Sequence, residues 1–207
     1  EIVKPSSSDR VLDPACGTAG FLVSSYKYIL SSEKNIDSEK LLSLANNLEG
    51  YDIEPKMVRT SLLNLFLQGF QTPRITEFDL LSDDTLWNEY FDIIVANPPF
   101  FNPKGGITPH SGFSLQSKRA EIHFLDFIQS HLRPDGRAGV VVPEGILFKK
   151  DKAYVEIRKK LLDNSLVGII SLPSGVFKPY SGVKTSILFL DKKIAKNNDL
   201  VFYSKVK

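Results

Sequence analysis

The sequence predicts an α/β fold in which a mostly parallel, doubly wound sheet carries helices on both faces. Three observations lead there. Short apolar runs alternate with stretches of helical periodicity along the 207 residues, the pattern that builds βαβ units. The first run enters a glycine-bearing turn, Asp13-Pro14-Ala15-Cys16-Gly17-Thr18-Ala19-Gly20. Carboxylates stand where the second and third runs end, at Asp52 and Asp79.

In chain order, strands are predicted over Arg10 to Asp13, Leu48 to Asp52, Arg74 to Phe78, Phe91 to Ala96, Gly136 to Val142 and Leu166 to Leu172. Phe21 to Leu30 reads as the helix that follows the first turn. Pro55 suits the first turn of another helix, with Val58, Leu62, Leu65 and Phe66 on one face and a stop near Gly69. Ile122, Leu125, Phe127, Ile128 and Leu132 mark a third, closed by the turn Arg133-Pro134-Asp135-Gly136. Lys184 to Leu190 and Leu200 to Tyr203 read as strands with no helix between them, which predicts an antiparallel hairpin at the sheet edge. Phe101 to Lys118 lacks periodicity and reads as a long mobile loop. His110 and His123 accompany it, either as groups facing a ligand or as ordinary packing residues. There are no internal repeats and no domain-scale linker, so residues 1–207 read as one domain.

Composition narrows the function classes. Hydrophobic residues at 42% and charged residues at 24% belong to a globular protein with a substantial core. The apolar runs are too short to cross a bilayer, and Glu1-Ile2-Val3-Lys4 lacks the layout of a secretory leader. A cytoplasmic location without membrane attachment is therefore expected. One cysteine rules out an internal disulfide, and with three dispersed histidines it gives no zinc spacing, so no bound metal is expected. A net charge of +2 neither demands nor excludes a polyanionic partner. The runs Lys149-Lys150-Asp151-Lys152 and Arg158-Lys159-Lys160 are phosphate contacts or the wet face of a helix. The chain has no initiator methionine and opens almost directly on a strand, which reads as a piece of a longer protein.

The turn after the first strand has the character of a nucleotide-cofactor site. Small residues at Gly17, Ala19 and Gly20 let backbone approach a ligand, and the helix start offers free N–H groups. The spacing is not the G-x-G-x-x-G that seats a pyrophosphate. Asp13 is placed to pair with a cation, which suits a sulfonium or an amino-acid ammonium. The alternative for the whole turn is simple tight packing. At the second strand end, Asp52 can accept ribose hydroxyls and Ile53 can cover an adenine face. A helix-start acid is the other reading, better suited to Glu54 beside Pro55. Asp79 can take an adenine amino group or cap a helix.

Asn97-Pro98-Pro99-Phe100 follows directly on the predicted strand Phe91 to Ala96. Asparagine offers a side-chain acceptor, proline offers a carbonyl without an N–H, and the proline pair holds the chain extended. Two preset acceptors beside a stacking ring suit an amine conjugated into an aromatic base. By chance such a tetrapeptide arises on the order of once per thousand chains of this size, so the cofactor turn is needed beside it.

Together these segments, in this order and at these strand positions, resemble the amino-methylating DNA methyltransferases. The chain resembles the adenine-specific methyltransferase (modification) subunit of type I restriction-modification systems. The resemblance continues through Phe124-Leu125, Gly136 to Phe148, Leu172-Pro173-Ser174-Gly175-Val176-Phe177 and Gly182 to Leu188, and so covers nearly the whole chain. It implies a Rossmann-like methyltransferase fold with a seven-stranded sheet, S-adenosylmethionine as cofactor, and the exocyclic amine of a flipped adenine in double-stranded DNA as acceptor. By motif, Asp13, Gly17, Thr18, Ala19 and Gly20 would surround the methionine portion of the cofactor. Asp52 would hold the ribose, and Ile53 and Asp79 would contact the adenine. Asn97 and the Pro98 carbonyl would bind the target amine, with Pro99 completing the rigid turn and Phe100 stacking on the base. Ala19 stands where many relatives carry glycine. The resemblance further implies specificity and restriction subunits as partners. It also implies an upstream helical domain, an upstream cofactor-binding segment and a C-terminal extension outside these residues, so weak or no cofactor binding is expected of residues 1–207 alone.

Direct methyl transfer without a covalent enzyme intermediate is expected, with Cys16 dispensable as a nucleophile. A protein-glutamine or RNA-guanine methyltransferase could use the same tetrapeptide, and the blocks after Gly136 argue against both. A non-catalytic platform for a DNA-binding subunit is the third alternative.

Overall fold

A computed structural model describes residues 2–34, 36–100, 109–179 and 181–206. The strands are β1 (Val11–Asp13), β2 (Leu48–Asp52), β3 (Arg74–Glu77), β4 (Phe91–Ala96), β5 (Leu132–Pro143), β6 (Leu166–Ser171), β7 (Thr185–Asp191) and β8 (Phe202–Lys205). The helices are α1 (Gly20–Ser32), α2 (Ser38–Asn46), α3 (Pro55–Leu67), α4 (Ala120–His131), α5 (Gly145–Phe148), α6 (Lys152–Asn164) and α7 (Lys192–Ala195). One sheet runs β3-β2-β1-β4-β5-β7-β6-β8. Strand β7 is antiparallel to both of its neighbours, and every other pairing is parallel.

Strands β1 and β4 lie at the centre with helices on both faces, which is why they read as apolar runs interrupted only by Asp13 and Asp92. Leu12, Ile94 and Ala96 enter one core with Leu125, Phe127 and Ile128 of α4 and Ile157 of α6. Val11, Ile93 and Val95 enter the other with Leu22 and Ile29 of α1, Leu44 of α2 and Leu65 of α3. Chain order reverses between β1 and β4, since β2 lies outside β1 and β5 lies outside β4. The strand ends there form the crevice where doubly wound sheets receive ligands.

Four expectations need correction. Lys184 to Leu190 and Leu200 to Tyr203 do not form an edge hairpin. The short helix α7 separates them, β7 inserts between β5 and β6, and β8 joins β6 in parallel at the edge, giving eight strands among the described residues rather than seven. The reason is burial. Ser186, Leu188 and Leu190 are almost wholly enclosed, which an edge strand cannot achieve, whereas Phe202 and Tyr203 remain exposed.

The turn expected at Arg133 to Gly136 is a bulge within β5. Leu132 already pairs with Phe91, and the register shifts before Ile93 meets Arg137. On α3 the inward face is centred on Ser61 and Leu65, and Phe66 is half exposed. The Ser61 hydroxyl donates to the Val58 carbonyl at 2.8 Å, so it enters the core satisfied.

Of the expected mobile loop, residues 101–108 lie outside the described residues, and the following stretch is tied down. Asp126 of α4 accepts from the Ser114 N–H and hydroxyl at 2.8 Å each, from the Leu115 N–H at 3.2 Å and from Lys160 at 2.5 Å. His110 packs edge-on against Trp87, and the buried His123 ring meets the Ser117 carbonyl at 2.9 Å. Both histidines are packing residues.

Gly50 of β2 sets how closely the first turn can approach its neighbour strand. A Cβ there would lie 2.7 Å from Ile75 Cδ1 and 3.0 Å from both Cys16 Sγ and Leu22 Cδ1. Gly50→Ala is expected to cost about 1–3 kcal/mol through overpacking, read as a lowered midpoint in urea unfolding. An unchanged midpoint contradicts the close approach.

Candidate active site

The turn after β1 is fixed chiefly by bonds to β2. Cys16 N–H donates to the Tyr51 carbonyl at 2.9 Å, and Gly17 N–H donates to Asp52 Oδ2 at 2.8 Å. The other Asp52 oxygen accepts the Glu54 N–H at 2.9 Å. From α3, the Asn64 amide donates to the Thr18 carbonyl at 2.7 Å. Gly17 and Ala19 take the left-handed conformation with φ of 53° and 63°, which glycine adopts freely and alanine at a cost of about 1–2 kcal/mol. Glycine at position 19 would relieve that cost, in keeping with the glycine many relatives are expected to carry. A Cβ built on Gly17 or Gly20 meets nothing within 4 Å, so open space lies in front of the turn and the start of α1.

Asp13 closes β1 fully buried, and that burial pushes its carboxyl up to about 7, with the Ala15 N–H opposing and the Asp52 charge adding to the rise. Burial, reinforced by Asp13 and Asp52, also pushes the Cys16 thiol up to about 12. Cys16 is a thiol at neutral pH, and a poor nucleophile.

A cleft of about 280 Å³ opens at the crevice between β1 and β4. Asp52, Ile53, Asp79, Asn97 and Pro99 all line it, together with Pro14, Ala15, Phe78, Leu80, Leu81, Ala120 and Phe124. The Gly17 to Gly20 turn adjoins it through Asp52, and Asp13 adjoins it through Pro14. Pro98 is buried and Phe100 half buried, next to the lining residues in sequence but outside the lining itself. Asn97 is exposed immediately beyond β4, and its side chain has no hydrogen-bond partner among the described residues.

Asp79 behaves first as a turn cap. Its carboxylate accepts from the Leu81 N–H at 3.1 Å and from the Ser82 hydroxyl, and the residue lines the cleft. Sequence reasoning did not assign Ala120 and Phe124 to the site, although they stand one helical turn apart on α4. Only the spacing i, i+4 hinted at a shared face.

The description "N-6 DNA Methylase" belongs to the family model that matches residues 1–207. The chain is 34% identical over 197 residues to the type I restriction enzyme EcoEI methylase subunit of Escherichia coli, covering 92% of this chain and 39% of that protein. It is 30% identical over 206 residues to the EcoKI methylase subunit of Escherichia coli K12, covering 95% of this chain and 38% of that one. Among solved structures, a modification subunit of a putative type I restriction enzyme from Vibrio vulnificus superimposes with a TM-score of 0.82 at 29% identity, over 100% of this chain and 44% of the other. The EcoKI M protein superimposes with a TM-score of 0.81 at 31% identity, over 92% and 41%. The chain thus spans about two fifths of the length of the curated relatives it matches.

Because Asp13 titrates near 7 when folded and near 3.8 when unfolded, the folded state binds more protons between those values. Stability falls as pH rises through that window, by up to about 4 kcal/mol. Asp13→Asn is expected to flatten this slope, gaining on the parent at pH 8 and not at pH 4, in urea unfolding across pH. Parallel pH profiles of parent and variant contradict the buried-carboxyl account.

Proposed function

Because the chain belongs to the N-6 DNA methylase family, we propose that it is the catalytic core of a DNA adenine-N6 methyltransferase that uses S-adenosylmethionine. It acts as part of the modification subunit of a type I restriction-modification system, beside specificity and restriction subunits in the cytoplasm. The observation that carries this reading is the tetrapeptide Asn97-Pro98-Pro99-Phe100 at the end of central strand β4, with Asn97 and Pro99 in the same cleft as Asp52, Ile53 and Asp79. Among the described residues no helix is long and apolar enough to cross a membrane.

The residues suit the cofactor. Open space before Gly17 and Gly20 admits a ligand to bare backbone, and Asp52 is already oriented by two N–H donors with outer lone pairs left for ribose hydroxyls. Ile53, 59% exposed at the cleft, offers an apolar surface for an adenine face. Asp79 adds an acceptor for the cofactor's adenine amine, and Asp13 stands buried behind the turn, where a bound cation would favour its charged form. When bound, S-adenosylmethionine supplies an electrophilic methyl group on a sulfonium.

The protein's task is then to make the target amine nucleophilic and aim it. An adenine amine has its lone pair delocalised into the ring. Accepting its two hydrogens on Asn97 Oδ1 and the Pro98 carbonyl favours a pyramidal nitrogen and stabilises the charge that develops there. Phe100 stacks on the flipped base. Leu80, Leu81, Ala120 and Phe124 give the cleft its apolar walls, which exclude water and strengthen those hydrogen bonds. Proximity and in-line orientation supply the rest of the acceleration.

In the full-length protein, Asn97→Ala is expected to lower methyl transfer to adenine-containing duplex by at least about a hundredfold. Cofactor affinity, followed by calorimetry, should stay within a few fold of the parent. Equal transfer by variant and parent contradicts the assignment.

A further inference from the structure

We propose that a basic rim beside the cleft, formed by Lys118, Arg119, Lys149 and Lys150, seats the phosphate backbone of the duplex, so that DNA approaches Asn97 from the β5 side of the sheet. The inference rests on the methyltransferase reading above and adds which surface meets the substrate's backbone.

Each of the two basic runs of the sequence divides into cations held by the fold and cations left exposed. In the second, the Arg158 guanidinium donates to the Ile146 carbonyl at 2.8 Å, and Lys160 holds Asp126 at 2.5 Å and the Ser130 hydroxyl at 3.1 Å. Those two cations fasten α6 to α4 and α5. In the first, Lys152 pairs with Glu156 at 3.7 Å, while Lys149 and Lys150 are exposed, as is Lys159 of the second. Strands β4 and β5 are parallel with Ala96 opposite Val140, so Asn97 and the segment after Pro143 leave the same edge of the sheet.

Hydrogen bonds tie this segment to the cleft wall. The Lys149 ammonium lies 3.3 Å from the Tyr154 hydroxyl, which donates to Glu121 at 2.9 Å. Glu121 follows Ala120, a lining residue, and Lys118 and Arg119 immediately precede it. Burial and the Glu121 carboxylate push the Tyr154 hydroxyl up to about 12, so the group beneath Lys149 stays neutral. Among the described residues, no carboxylate forms an ion pair with Lys118, Arg119, Lys149 or Lys150.

The opposite edge differs. There Arg10 pairs with Glu49 and Glu89, Arg133 with Asp92, and Arg137 with Asp9. Across the cleft, the ends of β2 and β3 carry Asp52, Glu54, Asp79, Asp83 and Asp84. A polyanion is repelled on that side and attracted on the β5 side. The cleft thus divides into an acidic half suited to a cationic cofactor and a basic half suited to phosphate.

The test uses the full-length protein with its specificity subunit, labelled S-adenosylmethionine and adenine-containing duplex, over a series of salt concentrations. Lys149→Glu/Lys150→Glu is expected to raise KM for DNA at least about tenfold near 0.1 M salt and to make the slope of log affinity against log salt shallower by about 2. The kcat at saturating DNA and the affinity for cofactor should match the parent. Lys193→Glu/Lys196→Glu, the same charge change on exposed residues of the opposite edge, should leave all four quantities unchanged. DNA methylation by the parent, with a rim variant that keeps the parental KM and salt slope or merely equals the control, overturns this inference alone. Transfer by the parent into RNA or protein and none into DNA overturns the function as well.

Discussion

The Asp52 carboxylate joins two turns that belong to different strands, and the arrangement of the site depends on that bridge. One oxygen holds the Gly17 N–H and the other the Glu54 N–H, each at under 3 Å. Both bonds place a charged acceptor on backbone donors, the stronger class of hydrogen bond. The first turn therefore stands at a set distance from the end of β2 even though no side chain of its own caps α1. Gly50 makes the distance short enough, since any side chain there would meet Cys16 and Leu22. Burial raises the proton affinity of Asp13 and of Cys16, and the charge of the same Asp52 carboxylate adds a smaller rise to each.

A second tether works from the other wall. Asp126 is almost wholly buried, yet it collects two backbone donors, a hydroxyl and the Lys160 ammonium. A buried carboxylate so satisfied is costly to disturb, because removing one partner leaves an uncompensated charge. It holds residues 114–115 against α4, whose Ala120 and Phe124 line the cleft. The end of β4 thus sits between two rigid flanks, the Asp52 bridge and α4.

Much of this was legible in the sequence where local pattern and local chemistry coincide. Strands β2 and β4 begin and end as predicted because proline closes each, Pro55 soon after Asp52 and the proline pair after Asn97. The residues around Asp52, Asp79 and Asn97 converge because all three stand at or just past the ends of parallel strands and so emerge at one edge. Pairing over long separations was not legible. Thr185 to Asp191 looks the same from within whether it lies at an edge or between β5 and β6, and only its distant partners decide. Likewise nothing near Lys160 in sequence announces Asp126, so one basic run read like the other until the fold separated a structural cation from exposed ones.

The proposed substrate of Asn97 is the exocyclic amine of adenine in DNA. The most direct measurement is identification of the methylated product after incubating the full-length protein, with and without its specificity subunit, with labelled S-adenosylmethionine and duplex DNA, followed by digestion to nucleosides. Label is expected in N6-methyladenine, with the site modified depending on the specificity subunit. Label in a protein glutamine or in RNA guanine, with none in adenine, would contradict it.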